Sequence, residues 1–288
     1  MPVLSSRSLL SAFAPLGAAI LAGLAAVAYY TPYSQLAYLT AHAPPAKLTM
    51  AAIAPLRFLT VPAISKHTAT VIFVHGLGDT GLGWKPVAQM LSREMPHVKW
   101  VLPHAPTMPV TANGGMTMPS WFDIYSFGFD TTEDEKGMLQ TVHSLNQLIT
   151  AEVDAEISAS RIVLGGFSQG GAMTLLTGLT TERKLAGLAV LSGWLPLHEK
   201  FKSMASEHAG SIPIFWGQGA ADSLVKPDLA RRSANLVMEH FKTPAASSLD
   251  EAKGLFYKAY AGVEHGTNME ELDDLKAWLK KALPPISE

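Results

Sequence analysis

Six short stretches of the chain are apolar almost without interruption: Thr70–Val74, Val98–Leu102, Arg161–Leu164, Leu188–Leu191, Ile212–Trp216 and Leu255–Tyr260. Continuous apolar runs of this length suit strands covered on both faces, as in a parallel sheet flanked by helices. Between and after them the period changes. Met138, Val142, Leu145, Ile149 and Val153 fall on one helical face after Asp130. Thr132, Glu133, Asp134 and Glu135 precede that face, offering a cap and negative charge at the positive helix end. Leu272, Leu275, Leu279 and Leu283 mark a last helix, stopped by Pro284-Pro285. Strands alternating with helices predict an α/β fold. The segment from Pro103 to Ile124 has no clear period but is rich in Met, Pro and aromatic residues. It reads either as a loop packed on the core or as an excursion beside a ligand site, since methionine side chains adapt to flexible apolar ligands. On the second reading Met108, Met116, Met118 and Trp121 are the candidate contacts.

The strand at 161–164 runs into Gly166-Phe167-Ser168-Gln169-Gly170, followed by the small-residue stretch Gly171 to Leu176. Strand, tight turn, helix is the setting in which G-x-S-x-G is a nucleophile elbow. A serine hydroxyl needs a base, and the base needs an orienting carboxylate. In this chemistry the order along the chain is serine, acid, histidine. Asp222 follows the strand at 212–216 in a turn-rich loop, and His265 follows the strand at 255–260 in a glycine-bordered one. Ser168, Asp222 and His265 are therefore the candidate catalytic residues. The developing oxyanion needs fixed donors. The expected ones are the backbone N–H of Gln169 and that of Leu77, in the glycine-rich loop after the strand at 70–74. In that loop His75 is expected to hold the backbone by local hydrogen bonds. Asp79 precedes the serine, the wrong order for the triad acid.

Composition narrows the function classes. The chain has 288 residues, with 22 basic and 24 acidic side chains. No basic face of the kind nucleic acids require is evident. No cysteine is present, which excludes disulfides, a thiol nucleophile and thiolate metal ligation. His97, His104, His143 and His240 are dispersed and no H-E-x-x-H pattern occurs, so neither metal nor cofactor is expected.

Six blocks, VIFVHGLGDTGLGW (71–84), LPHAP (102–106), MPSWFDI (118–124), GGFSQGGAM (165–173), LSGWLP (191–196) and EHG (264–266), resemble the acyl-protein thioesterase/lysophospholipase family of serine α/β-hydrolases. The resemblance implies an α/β-hydrolase fold: a mostly parallel central sheet with helices on both faces. It carries the catalytic roles onto Ser168, Asp222 and His265, and the oxyanion N–H groups onto Leu77 and Gln169. It implies hydrolysis of fatty acyl thioesters, chiefly palmitoyl, on protein cysteines, so that S-palmitoylated proteins are the partners. Lysophospholipids and short-chain esters are alternative substrates for the same triad. It also implies a cytoplasmic, partly nuclear setting and a shallow apolar acyl groove near 103–124. One departure is Asp222-Ser223-Leu224-Val225, where the family commonly has proline after the aspartate. A non-catalytic lipid-binding protein on a decayed hydrolase fold is a third reading, against which the intact Ser168, Asp222 and His265 count.

Residues 1–49 are set apart as an apolar extension, and 50–288 as the hydrolase domain. Residues 9–30 form an uncharged, mostly apolar run, long enough to cross a bilayer. Three readings fit: a membrane anchor that tethers the enzyme to a membrane surface, a cleaved signal with small residues near Ala25–Ala28, or an extension upstream of a start at Met50.

Overall fold

The structure, a computed structural model, describes residues 54–126 and 131–286. The apolar run at 9–30 and the rest of the 1–49 extension lie outside the described residues. Among the described residues no helix is long and apolar enough to cross a membrane.

An eight-stranded sheet carries the domain. Its strands are β1 (Phe58–Val61), β2 (Ala69–Val74), β3 (Val98–Pro103), β6 (Ile162–Phe167), β7 (Gly187–Leu191), β8 (Ile214–Gly219), β9 (Ala245–Ala246) and β10 (Leu255–Tyr260), and β4 (Thr107–Val110) and β5 (Met116–Pro119) form a separate hairpin. The order is β1-β3-β2-β6-β7-β8-β10-β9. Only β1 runs antiparallel to its neighbour; the other pairs in the sheet are parallel. Helices α1 (Gly81–Glu94), α2 (Glu135–Asp154), α3 (Gln169–Thr180), α4 (His198–Met204), α5 (Pro227–Phe241) and α6 (Met269–Ala282) cover it.

The two faces build two cores. Side chains alternate along each strand, so Ile72, Val74 and Leu164 enter the core under α2, α3 and α5, whereas Val71, Phe73 and Val163 enter the one under α1 and α6. Strands β2, β3, β6, β7 and β8 are thus apolar on both sides, which is why their runs are continuous rather than alternating; β10 is only partly buried between its ends. Helix α3 is buried from Gln169 through Leu179. That burial accounts for its weak amphipathicity, because it packs against the sheet on one side and α2 on the other.

Each of the six expected strands is present. The strand before the serine runs on to Phe167, three residues beyond its apolar run. On α2, Met138, Leu145 and Ile149 are buried, with Val142 and Val153 partly so. Its cap is Asp134, whose Oδ1 accepts from Gly137 N at 3.0 Å. Glu133 is turned elsewhere.

Candidate active site

The elbow exists because two glycines lack a Cβ. A Cβ on Gly166 would lie 2.4 Å from the Gly170 carbonyl oxygen, and one on Gly170 would lie 2.1 Å from the Val74 carbonyl oxygen. Between them Ser168 takes a positive-φ conformation outside the allowed left-handed helical region, φ 55° and ψ −121°, in which non-glycine residues are strained. The turn is locked by Ser168 N, which donates to Leu191 O at 2.9 Å, and by Ala172 N, which donates to Ser168 O at 3.1 Å. Such strain costs on the order of 1–3 kcal/mol and persists only where the surroundings over-determine it.

Two loops beyond the carboxyl ends of β8 and β10 bring the partners. They are stitched together by Ala220 N to Tyr260 O at 2.9 Å and Ala221 N to Val263 O at 2.9 Å. Close approach is allowed by Gly219, where a Cβ would lie 2.3 Å from Glu264 O. His265 Nε2 sits 2.9 Å from Ser168 Oγ, and His265 Nδ1 sits 2.7 Å from Asp222 Oδ2. The Asp222 side chain is fully buried. Its other oxygen accepts from Leu224 N and Val225 N, each at 2.9 Å, so the carboxylate is held from both sides. These two bonds brace the loop that carries Ser223 in place of proline. Gln218 Nε2 adds a 2.9 Å bond to Val225 O and a longer one, 3.3 Å, to Asp222 Oδ2. The Phe167 ring packs on the His265 imidazole with centroids 4.8 Å apart.

The expected oxyanion donors face the same space. Leu77 and Gln169 both line a cavity of about 200 Å³ with Ser168 and His265. No hydrogen bond to a protein acceptor occupies either backbone N–H among the described residues. His75 explains the aim of Leu77. Its Nδ1–H donates to Gly76 O at 2.7 Å and its Nε2 accepts from Ala105 N at 3.1 Å. Holding the Gly76 carbonyl one way points the Leu77 N–H of the same planar peptide the other way. Burial depresses the His75 basicity, so the ring stays neutral and keeps its acceptor nitrogen. Asp79 also lines the cavity.

The side chain of Gln169 does something that motif reasoning did not anticipate. It is fully buried, donates to Phe122 O at 2.8 Å and Ser120 Oγ at 3.0 Å, and accepts from Trp121 N at 3.0 Å. It ties the 118–124 segment to the elbow. Trp121 is accordingly a packing residue, 2% exposed, whose indole donates to His75 O at 2.8 Å.

None of the four candidate acyl contacts lines the cavity of Ser168. Met108 and Met118 pair across the β4–β5 hairpin, and Met116 is 64% exposed on it. The apolar wall is built instead by Ile124, Phe167, Trp194, Leu224 and Val225. Four of these, Ile124, Trp194, Leu224 and Val225, also bound a second, narrower cavity of about 40 Å³ that continues toward Phe122, Tyr125 and Met138.

One buried carboxyl lies near this edge of the sheet. Glu271, in the first turn of α6, is wholly buried against Gly217 of β8, and neither of its carboxyl oxygens has a hydrogen-bond partner. A helix start favours a negative charge by about 0.3–1 kcal/mol. Desolvating a carboxylate costs several times more, and burial with nearby Asp274 pushes Glu271 up to about 8. In the unfolded chain the group ionises near 4.3. Because the folded value is the raised one, the stability it contributes is complete below about pH 4 and is lost as pH rises through 8. Buried His75 and the partly buried His67 and His104 are depressed and act with the opposite sign, costing stability as pH falls below about 6.5. Glu271→Gln, an isostere of the protonated acid, is therefore expected to raise the urea midpoint relative to wild type at pH 9, by the equivalent of about 3–5 kcal/mol, and to leave it nearly level at pH 4.5. A constant difference across that range would contradict the assignment.

The phospholipase/carboxylesterase family model matches residues 57–283. Acyl-protein thioesterase 1 of Cryptococcus neoformans is 49% identical over 79% of this chain and 98% of its own length. The protein of the same name from Neurospora crassa is 40% identical over 83% of this chain and 97% of its own. Among solved structures, acyl-protein thioesterase 2 of Zea mays superposes with a TM-score of 0.68 at 29% identity, covering 79% of this chain and 99% of that one. SOBER1 of Arabidopsis thaliana gives 0.68 at 31% identity, covering 75% and 99%. With a matching family model over most of its length, a parallel sheet covered on both faces and a serine on a strand-to-helix elbow, the chain belongs to the phospholipase/carboxylesterase family of α/β-hydrolases.

Proposed function

We propose that the chain is an acyl-protein thioesterase, a serine hydrolase that removes fatty acyl groups, palmitoyl above all, from cysteine thioesters of proteins. The observation that carries this reading is the unbroken relay of Asp222, His265 and Ser168, at 2.7 and 2.9 Å, on the floor of an apolar cavity. The relatives named acyl-protein thioesterase support the substrate class.

In this reading Ser168 Oγ attacks the thioester carbonyl carbon while its proton passes to His265 Nε2. Asp222 keeps the other ring proton on Nδ1 and stabilises the imidazolium. The carbonyl oxygen, now negative, takes hydrogen bonds from Leu77 N–H and Gln169 N–H. Collapse breaks the carbon–sulfur bond, and the cysteine sulfur leaves with the proton from His265. Water then attacks the acyl-enzyme and gives a proton to His265. Collapse of the second intermediate returns that proton to Ser168 Oγ and releases the fatty acid. No redox step or metal is required.

The triad chemistry is common to thioesters and oxygen esters, so the leaving group must be tested directly. Measured side by side, kcat/KM is expected to be highest for a palmitoylated cysteine peptide, ahead of a lysophospholipid and a short-chain ester. A lysophospholipid turned over ten times faster than the peptide would replace this assignment with a lysophospholipase.

A further inference from the structure

Glu133 is unusually placed for a residue in the turn before a helix. Asp134 performs the capping of α2, which leaves Glu133 free to reach across to the β7–α4 connection. There its Oε2 accepts from Leu197 N at 2.6 Å, three residues after Trp194. Leu197 is in a left-handed conformation, φ 49°, directly before α4. Leu195 N, between these two, is held by Ser233 Oγ of α5 at 3.0 Å. Trp194 is thus anchored through the backbone that follows it, held at Leu195 by Ser233 and at Leu197 by Glu133.

We infer that Glu133 is a positioning residue for the acyl pocket: by anchoring Trp194, it sets which acyl-chain lengths the enzyme turns over. The inference rests on the thioesterase reading above and extends it to specificity. Trp194 belongs to the wall of the cavity that holds Ser168 and also to that of the second cavity behind it. Its ring meets Phe122 edge-on, centroids 6.2 Å apart, and Phe122 lines the second cavity. Glu133 itself lines that cavity. A short acyl group bonded to Ser168 ends before it crosses the shared wall. A long one runs along Trp194 and needs the indole held where it is. Burial pushes the Glu133 carboxyl up in pKa, and the Leu197 N–H opposes that shift. Its burial is sustained by the contacts that fix Trp194.

The test uses butanoyl and hexadecanoyl thioesters of one synthetic peptide. Glu133→Ala is expected to lower kcat/KM for the hexadecanoyl substrate about tenfold, mainly through KM, and for the butanoyl substrate less than about twofold. Glu133→Gln, whose amide oxygen still accepts from Leu197 N, is expected to stay within about threefold of wild type on both substrates. Trp194→Phe shrinks the shared wall itself and is expected to change the ratio of hexadecanoyl to butanoyl turnover even where Glu133→Ala folds poorly. Equal loss on both chain lengths, or an unchanged ratio, overturns the inference. Hexadecanoic acid binding to Ser168→Ala protein with and without Glu133→Ala provides a readout that needs no turnover. Weakened binding there supports the inference, and unchanged affinity overturns it. Failure of the wild type on both thioesters would sink the thioesterase reading by itself.

Discussion

Replacing Ser168 with alanine is expected to lower kcat/KM on an acyl thioester by about 10⁴-fold or more, with the fold intact. The size follows from what is removed. Without Oγ there is no acyl-enzyme, and His265 has no hydroxyl to deprotonate. What remains is binding and the two backbone donors, which alone give only residual catalysis. A factor of 10⁴ corresponds to about 5 kcal/mol of transition-state stabilisation. The Ser168 hydroxyl has one side-chain partner in the relay, His265 at 2.9 Å. Removing it leaves an imidazole that is partly exposed and can turn to water, so thermal stability should stay close to that of wild type. Relief of the unusual backbone angle is not expected either, because alanine at φ 55° is strained as serine is. Rates measured on palmitoyl-peptide, together with a melting curve, separate the two effects. Activity within tenfold of wild type would contradict the role assigned to Ser168.

Gly170→Ala is expected to be the most damaging single change to the fold of the site. The added Cβ would lie 2.1 Å from Val74 O and 2.6 Å from His75 O, both backbone atoms of the strand end and loop that carry the oxyanion donor. No side chain can swing aside to make room. Overpacking costs about 1–3 kcal/mol where flexible neighbours give way. Here α3 must separate from β2, so a loss of at least about 3 kcal/mol and a fall of roughly 10 °C in Tm are expected for a domain of this size. The displacement also moves Gln169 N–H and Ser168 away from His75 and Gly76, so activity should fall together with stability. Gly266→Ala is the matched control for stability: its Cβ enters open space and its backbone is not left-handed. A melting temperature for Gly170→Ala equal to that of the control would show that the elbow is looser than these contacts require.

The elbow, the relay and the central strands were legible because each has a local signature. Burial on both faces makes β2, β6 and β8 continuous apolar runs, and the glycines around Ser168 mark a turn that other residues cannot make. The order of Ser168, Asp222 and His265 follows from loops at successive strand ends. Helix α5 keeps a clear helical period, but its buried stripe is Ala230, Ser233, Ala234 and Val237, small or polar residues that hide it from a search for large apolar side chains. Helix α1 buries Gly81, Trp84, Ala88, Leu91 and Ser92 around an internal Pro86, which masks it in the same way. The β4–β5 hairpin mixes Thr, Met and Pro and is exposed on much of its surface, so it lacks the apolar run of the central strands. The apolar wall of the Ser168 cavity was hard to read for a different reason. Ile124, Trp194, Leu224 and Val225 come from three distant segments that meet only in the folded chain. A local cluster of methionines drew attention to 108–118 instead. Glu133 illustrates the limit of helix-start rules: four residues in a row suited the cap of α2, and the position of Leu197 and Trp194 decided which one served.

The most direct test of the account is intact-mass and peptide analysis of the wild-type protein quenched during hydrolysis of a palmitoyl thioester. The account predicts a single added palmitoyl group, bonded through the oxygen of Ser168 and missing from the Ser168→Ala protein. An acyl group found on another residue, or turnover with no acylated protein at any quench time, would contradict it.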